Sequence, residues 1–268
     1  MRKTCRIAAL AGLLASALLV GRLTADPSGL GILPFSGLSG KLKAFFALPD
    51  ELVPGESTYQ RIALVPFSAK VNGRIGGYKL GAWPYEKKEG SNPSYANPKG
   101  FVEVTKDNLS LHLSEHFTLG QFITKDQISV WPKYVVLQPR LLDKLELTIA
   151  ELRREGHPVS GLFVMSGFRT PEYNEQGVGA GGRSAVSRHQ FGDAADVYPN
   201  DRGKGRMDDL NGDGRVDLTD ARILANAADA VERQHPELVG GIGIYPATSA
   251  HGPFVHIDAR GTRARWGG

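Results

Sequence analysis

Cysteine is nearly absent from this sequence: Cys5 is the single one in 268 residues. A disulfide framework is therefore excluded, and Cys5 lies too early and in the wrong context for a lipoprotein cysteine. Outside a reducing compartment, stability must then come from core packing and from any bound metal. A surplus of one charge is also missing once the N-terminus is set aside. Removing Arg2, Lys3, Arg6 and Arg22 from the 32 basic residues leaves 28, equal to the 28 acidic residues. Such a chain has no basic footprint, and no nucleic-acid partner is expected. There is no internal repeat and no low-complexity tract. The Gly-rich stretch from Gly177 to Gly182 lacks the Lys-Ser/Thr of a phosphate loop and reads as a flexible rim. The apolar run Ile7 to Val20 is too short to span a bilayer comfortably.

That run has informative flanks. Arg2, Lys3 and Arg6 precede it, and Gly21-Arg22-Leu23-Thr24-Ala25 closes it. Basic n-region, apolar h-region and small-residue cut site together predict a signal peptide over residues 1–25. The protein is expected to be exported, to the periplasm, the cell envelope or the medium. Membrane contact is expected only if the segment stays uncleaved. The remainder is long enough to bury a sizeable core and is expected to be a monomer.

Residues 26–57, rich in Gly, Pro and Ser, read as a lead-in. Residues 58–104 read as a small β-rich region and linker. Ile62 to Phe67, the Val71-Asn72-Gly73-Arg74 turn signal and Tyr78 to Trp83 predict a hairpin or small sheet. Glu86 to Gly100 is a polar linker or long loop. From 105 to 268 the pattern is that of an α+β domain, a small antiparallel sheet flanked by helices. Pro139 to Glu155 places Leu142, Leu145, Ile149 and Leu152 on one helical face, with an early Pro and a terminal Gly156. Thr219 to Gln234 reads as a second helix. Leu162 to Met165, Ile242 to Tyr245 and Phe254 to Asp258 read as strands.

Four segments of this domain carry chemistry: Ser166-Gly-Phe-Arg-Thr-Pro-Glu-Tyr-Asn174, Ser187-Arg-His-Gln-Phe-Gly-Asp-Ala-Ala-Asp196, Gly241-Ile-Gly-Ile-Tyr245 and His251-Gly-Pro-Phe-Val-His-Ile-Asp258. Catalytic zinc takes three nitrogen or oxygen ligands and keeps a fourth position open for water. Two imidazoles and a carboxylate leave a net positive centre that lowers the pKa of bound water to roughly 7 and polarises a carbonyl. His189, Asp196 and His256 meet that description. Between the first two, Gly192, Ala194 and Ala195 allow a tight turn into a strand and a close backbone approach.

These segments resemble the zinc D-alanyl-D-alanine carboxypeptidase and murein endopeptidase family, which shares its fold with lysostaphin-type endopeptidases and the hedgehog signalling domain. Ser187, His189, Gly192, Ala194 and Asp196 match the family's Ser-x-His-x-x-Gly-x-Ala-x-Asp pattern, and His256 and Asp258 its later His-x-Asp. Ser166 to Arg169 match its upstream arginine motif, and Ala264-Arg265-Trp266 looks like the ending of one branch. The resemblance covers residues 105–268. It implies zinc held by His189, Asp196 and His256, with Arg169 and Ser187 at the substrate. Arg169 would meet a carboxylate or a developing oxyanion, a role suited to a planar, always-charged donor. Asp258 is expected to orient a metal-bound imidazole. Many members carry Glu three residues before the last histidine, whereas this sequence has Pro253. His251 matches a branch with an active-site histidine and is the expected proton carrier. The implied function is hydrolysis of peptide bonds in peptidoglycan stem peptides or crosslinks, by carboxypeptidase or endopeptidase action. The alternative is a non-catalytic zinc-containing module that binds the cell wall or signals.

Asp209 to Asp220 also reads as a twelve-residue calcium loop. Asp209, Asn211, Asp213, Asp217 and Asp220 offer side-chain oxygens, Arg215 offers its carbonyl, and Gly214 takes the sharp turn. A structural Ca²⁺ is expected there. The loop resembles those of dockerin modules, but a dockerin needs two and one is present, which disfavours cohesin binding. His112-Leu-Ser-Glu115-His116 fits the inverted zincin pattern, whose chemistry needs a helix. Here Val102, Val104, Leu109, Leu111 and Leu113 alternate as in a strand, so no metal is assigned to it.

Overall fold

The computed structural model describes residues 62–88 and 93–268. The expected signal peptide, the lead-in and the first residues of the β-rich region lie outside the described residues, as do positions 89–92 of the polar loop. No helix among the described residues is long and apolar enough to cross a membrane.

The chain opens with β1 (Leu64–Pro66), then the short hairpin β2 (Arg74–Ile75) and β3 (Tyr78–Lys79). Asn72 and Gly73 have φ of 48° and 73°, so the turn signal at 71–74 is a real turn, closed by a bridge between Val71 and Arg74. It does not join the two apolar segments to each other. β1 pairs instead with β4 (Gly100–Val104), and β4 with β5 (Lys133–Val135), making an antiparallel three-stranded sheet. The boundary expected between 104 and 105 falls inside this sheet, and one hydrophobic core runs through both sides of it. β4 stops at Val104 because Asn108 offers a local alternative to the ladder: its Oδ1 accepts from Thr105 N at 2.9 Å and its Nδ2 donates to Glu103 O. The strand expected through Leu113 is therefore a set of turns. His116 lies outside any helix, with Nδ1 2.5 Å from Glu146 Oε2.

α1 (Pro139–Arg154) starts at its proline, whose missing N–H costs nothing in the first turn. Leu141, Leu142, Leu145, Ile149 and Leu152 are all fully buried on its inner face. Next come β6 (Phe163–Ser166), the short helix α2 (Pro171–Glu175) and β7 (Ala194–Tyr198). Asp217 and Asp220 form a reciprocal capping box that starts α3 (Leu218–Gln234). β8 (Gly241–Tyr245), β9 (Phe254–Asp258) and β10 (Ala264–Gly267) complete the fold.

The architecture is α+β. The larger sheet has the order β10-β8-β9-β7-β6. Its pairs are antiparallel except β10 with β8, a departure from the expected antiparallel sheet. β10 follows β9 but pairs across β8, so it must run in the direction of β8. α3 rests on β8 and β9, and α1 on α3. Ala221, Ala225, Ala227 and Ala228 keep the α3 surface thin, allowing close approach to the sheet. Lys144 of α1 is fully buried, its Nζ 2.6 Å from Glu232 Oε1 and 2.5 Å from Asp258 O. It clamps α1, α3 and the end of β9 together behind the face described next.

Candidate metal centre

Side chains alternate across a strand, so β7 turns Ala195 and Val197 toward the helices and Asp196 the other way. β9 likewise buries Val255 and Ile257 on the helix side and turns His256 and Asp258 to the opposite face. The register aligns the result. Asp196 is directly opposite His256, which is opposite Gly243, which is opposite Trp266, and Ser166 flanks Asp196 on the far side. One row across five strands thus reads Trp266, Gly243, His256, Asp196, Ser166. Gly243 is required there, because a Cβ at that position would lie 2.2 Å from Trp266 Cε2. With glycine, the indole crosses β8 and rests against His256, ring centroids 5.1 Å apart.

His189 comes from outside the sheet, on a 3₁₀ turn of Arg188–Phe191. Gln190 Oε1 accepts from Ser187 N at 3.0 Å as half of a capping box, and Gly192 ends the turn at φ 70°. A side chain at Gly192 would meet Val136 O at 2.3 Å, which pins the turn against the chain leading into α1. The upstream Ser166 to Arg169 segment interlocks with it: Arg169 N donates to His189 O, and Gly167 O lies 2.7 Å from His189 Nδ1.

The three candidate ligands converge. His189 Nε2 is 3.2 Å from His256 Nδ1 and 3.2 Å from Asp196 Oδ1, and His256 Nδ1 is 3.0 Å from Asp196 Oδ1. All three residues are buried, and among the described residues this is the group that could hold a metal ion. The other nitrogens are committed. His189 Nδ1 faces a carbonyl and must donate to it, and His256 Nε2 lies 3.1 Å from Asp258 Oδ2. In the neutral rings those donations leave lone pairs on Nε2 of His189 and Nδ1 of His256, aimed at each other and at a carboxylate oxygen. Such an arrangement demands a positive charge at its centre, from a proton or a metal ion. A tetrahedral zinc with bonds of about 2.0–2.1 Å spaces its ligand atoms by roughly 3.3 Å, close to what these residues provide.

The surroundings tune that demand. Burial alone would raise the Asp196 carboxyl, but His189 and His256 beside it hold it well below the ordinary range. Burial lowers the His189 imidazole against the pull of Asp196. For His256 burial is outweighed by hydrogen bonds to Asp196 and Asp258, and its pKa rises. Asp258, itself buried, is held low by His256 and Arg260. It sits where an orienting acceptor is expected, and it also accepts from Gly241 N at 2.8 Å.

A cleft of about 740 Å³ opens over this centre. Arg169, Ser187 and His251 all line it, so the structure brings these three and the three candidate ligands around one cavity. Arg169 is less free than expected: Nη2 donates to Asp196 Oδ2 at 2.6 Å and Nε to Ser166 Oγ at 2.9 Å. Ser187 is largely buried and serves the turn that carries His189. His251 uses Nδ1 on Gly252 O at 2.8 Å, which leaves Nε2 for other partners, and packs edge-on to Phe254. Tyr245 stacks on Phe254 with centroids 4.6 Å apart and accepts from Trp266 Nε1 at 2.9 Å, forming an aromatic wall.

No protein-family model matches the chain, and no curated protein was found similar to it.

The calcium loop behaves differently. Gly212 and Gly214 take φ of 74° and 83°, as such a loop requires. Its acids are turned to local amides: Asp209 accepts from Gly212 N and Gly214 N, Asp213 from Arg215 N, and Asp220 from Leu210 N. No three of its carboxylates bring oxygens within 4.8 Å of one another.

Lys125, Arg183 and Arg260 also line the cleft, although none of them belongs to the motifs that mark the site in the sequence. Arg260 had a readable signal, lying two residues beyond Asp258. Lys125 and Arg183 had none, because only folding brings them to the cavity.

Proposed function

We propose that this chain is a zinc-dependent hydrolase of peptide bonds in peptidoglycan stem peptides or crosslinks, built on a hedgehog-like, D-alanyl-D-alanine-peptidase-like α+β domain and exported from the cell. The observation that carries the reading is the convergence of His189 Nε2, His256 Nδ1 and Asp196 Oδ1 within 3.0–3.2 Å at the floor of a cleft, each imidazole giving its other nitrogen to an acceptor.

His189, Asp196 and His256 would hold the ion. Zinc, when bound, supplies a Lewis acid for the scissile carbonyl and acidifies water. Asp258 fixes the tautomer and plane of His256 through Nε2. Arg169 holds Asp196 in place and brings positive charge to the cleft floor, where it favours a carboxylate or a developing oxyanion. His251, with Nδ1 spent on Gly252 O, has Nε2 left to take and return a proton. The cleft is large enough for several peptide residues, with Tyr245, Phe254 and Trp266 as an apolar wall.

The test incubates the purified protein with muropeptides and identifies products by mass spectrometry, beside a His189→Ala control and a zinc assay. Loss of a terminal D-residue identifies a carboxypeptidase, and split dimers an endopeptidase. Absence of zinc, or equal product from the control, overturns the reading. Zinc without any product supports instead the non-catalytic wall-binding or signalling module.

We also propose that the loop of Asp209, Asn211, Asp213, Arg215, Asp217 and Asp220 takes a structural calcium, on the strength of its donor spacing and its left-handed glycines. Binding would pull the carboxylates from loop amides onto the ion. Melting with and without chelator should show a calcium-dependent rise that Asp213→Ala abolishes. Equal melting in both conditions refutes it.

A further inference from the structure

Five Lys and Arg side chains line the cleft, and Asp196 is the sole carboxylate among its lining residues. Three of the five are already neutralised. Arg169 pairs with Asp196, Arg188 with Asp193 and Arg260 with Asp258. Arg183 and Lys125 pair with no carboxylate among the described residues. Their charge is a surplus among the residues that line the cleft.

Arg183 is held in place rather than left to wander. Its guanidinium lies over the Tyr173 ring at 4.3 Å, and Nη1 donates to Tyr173 O. Its backbone N donates to Gly177 O at 2.9 Å, bridging the two ends of the Gly-rich rim. Gly177 itself makes room for the side chain, since a Cβ there would come within 2.4 Å of Arg183 Cδ. A guanidinium fixed in this way has already lost the freedom that binding would otherwise cost, and its remaining N–H donors suit the fork of a carboxylate. Lys125, exposed on the cleft wall, adds a second unpaired cation.

We infer that Arg183, with Lys125 in support, is a carboxylate-recognition site for the substrate, separate from the scissile bond, so that the cleft selects peptides carrying a free carboxylate over the same peptides amidated there. The inference rests on the proposed peptide hydrolysis. It adds a substrate class: acidic peptides, with the recognised group either a side-chain carboxylate or the C-terminal one.

Three synthetic stem peptides decide between these sources: one with both carboxylates free, one amidated on the side chain, one amidated at the C-terminus. Their kcat/KM values and their dissociation constants by calorimetry are measured on the zinc-loaded protein and on Arg183→Gln, Arg183→Lys and Lys125→Gln. The wild type should disfavour one amidated peptide by about tenfold or more, mostly through KM and affinity. Arg183→Gln should abolish that discrimination, Arg183→Lys should restore part of it, and Lys125→Gln should weaken it by less. Equal handling of all three peptides by the wild type, or unchanged discrimination in Arg183→Gln, overturns the inference. If no peptide is cleaved, the hydrolase reading fails, and the binding constants alone still decide the role of Arg183.

Discussion

His189 Nε2 and His256 Nδ1 face each other at 3.2 Å although they arrive on unrelated pieces of chain, a 3₁₀ turn and the middle of β9. Each ring is fixed by what it does with its other nitrogen, so the pair is preorganised for a cation before any ion binds. The folded state should therefore bind zinc far better than the unfolded chain. At zinc a hundredfold above the dissociation constant, stability should rise by about 2.7 kcal/mol. His256→Ala should show neither the rise in melting temperature nor stoichiometric zinc by elemental analysis. An unchanged zinc-induced shift in that variant would discard these residues as the site.

Asp258 is the orienting partner of His256, and it also holds Arg260 and Gly241 N. Asp258→Asn keeps the shape but removes the anion that makes Nε2–H a strong donation. Zinc affinity, measured by competition with a chromophoric chelator, should drop about 10- to 100-fold with all three ligands intact. Wild-type affinity would show that Asp258 is only a strand-end brace.

Gly192 combines φ of 70° with backbone contact at Val136. Gly192→Ala adds a methyl where Val136 O already stands, on top of a left-handed conformation costing about 1–2 kcal/mol. Urea melts should show a loss above that figure, and His189 should lose its seat on Gly167 O. Destabilisation below about 1 kcal/mol would mean that the turn relaxes easily.

Tyr134 has its hydroxyl 3.0 Å from Glu103 Oε2 and its pKa pushed up to about 12, by burial first and by Glu103 second. The neutral phenol is the form that the fold keeps. Its raised pKa therefore contributes stability that is whole below the ordinary tyrosine range and is lost as pH climbs from about 10 through 12. The melting temperature of the wild type should fall across that window more steeply than that of Tyr134→Phe. Parallel curves would mean that Tyr134 titrates as it does in the unfolded chain.

Much of the molecule was legible in the sequence because the relevant signals are local. The 3.6-residue period and the early proline place a helix from Pro139 to Glu155, which ends at Arg154, and the helix expected over Thr219–Gln234 runs from Leu218 to Gln234. His189, Asp196 and His256 were readable as a set because each sits in a motif of a few adjacent residues. Pairing was less legible. Leu64–Pro66 bonds to Gly100–Val104 rather than to the strand nearer in sequence, and the alternation through Leu113 broke at an asparagine side chain that competes with the ladder. Lys144 reads as a solvated helix residue, yet it is fully buried, because its partners Glu232 and Asp258 O lie far along the chain.

Sequence alone determined the candidate ligands, the helices and the α+β class, since periodicity, caps and short motifs are properties of neighbouring residues. Tertiary structure decided what those ligands can do. Register set Asp196 opposite His256, Gly243 opened a path for Trp266, and the fold delivered Arg183 and Lys125 to a cleft whose sole carboxylate was already taken. Convergence of lone pairs and surplus of charge both depend on distances between remote segments, and only packing fixes those.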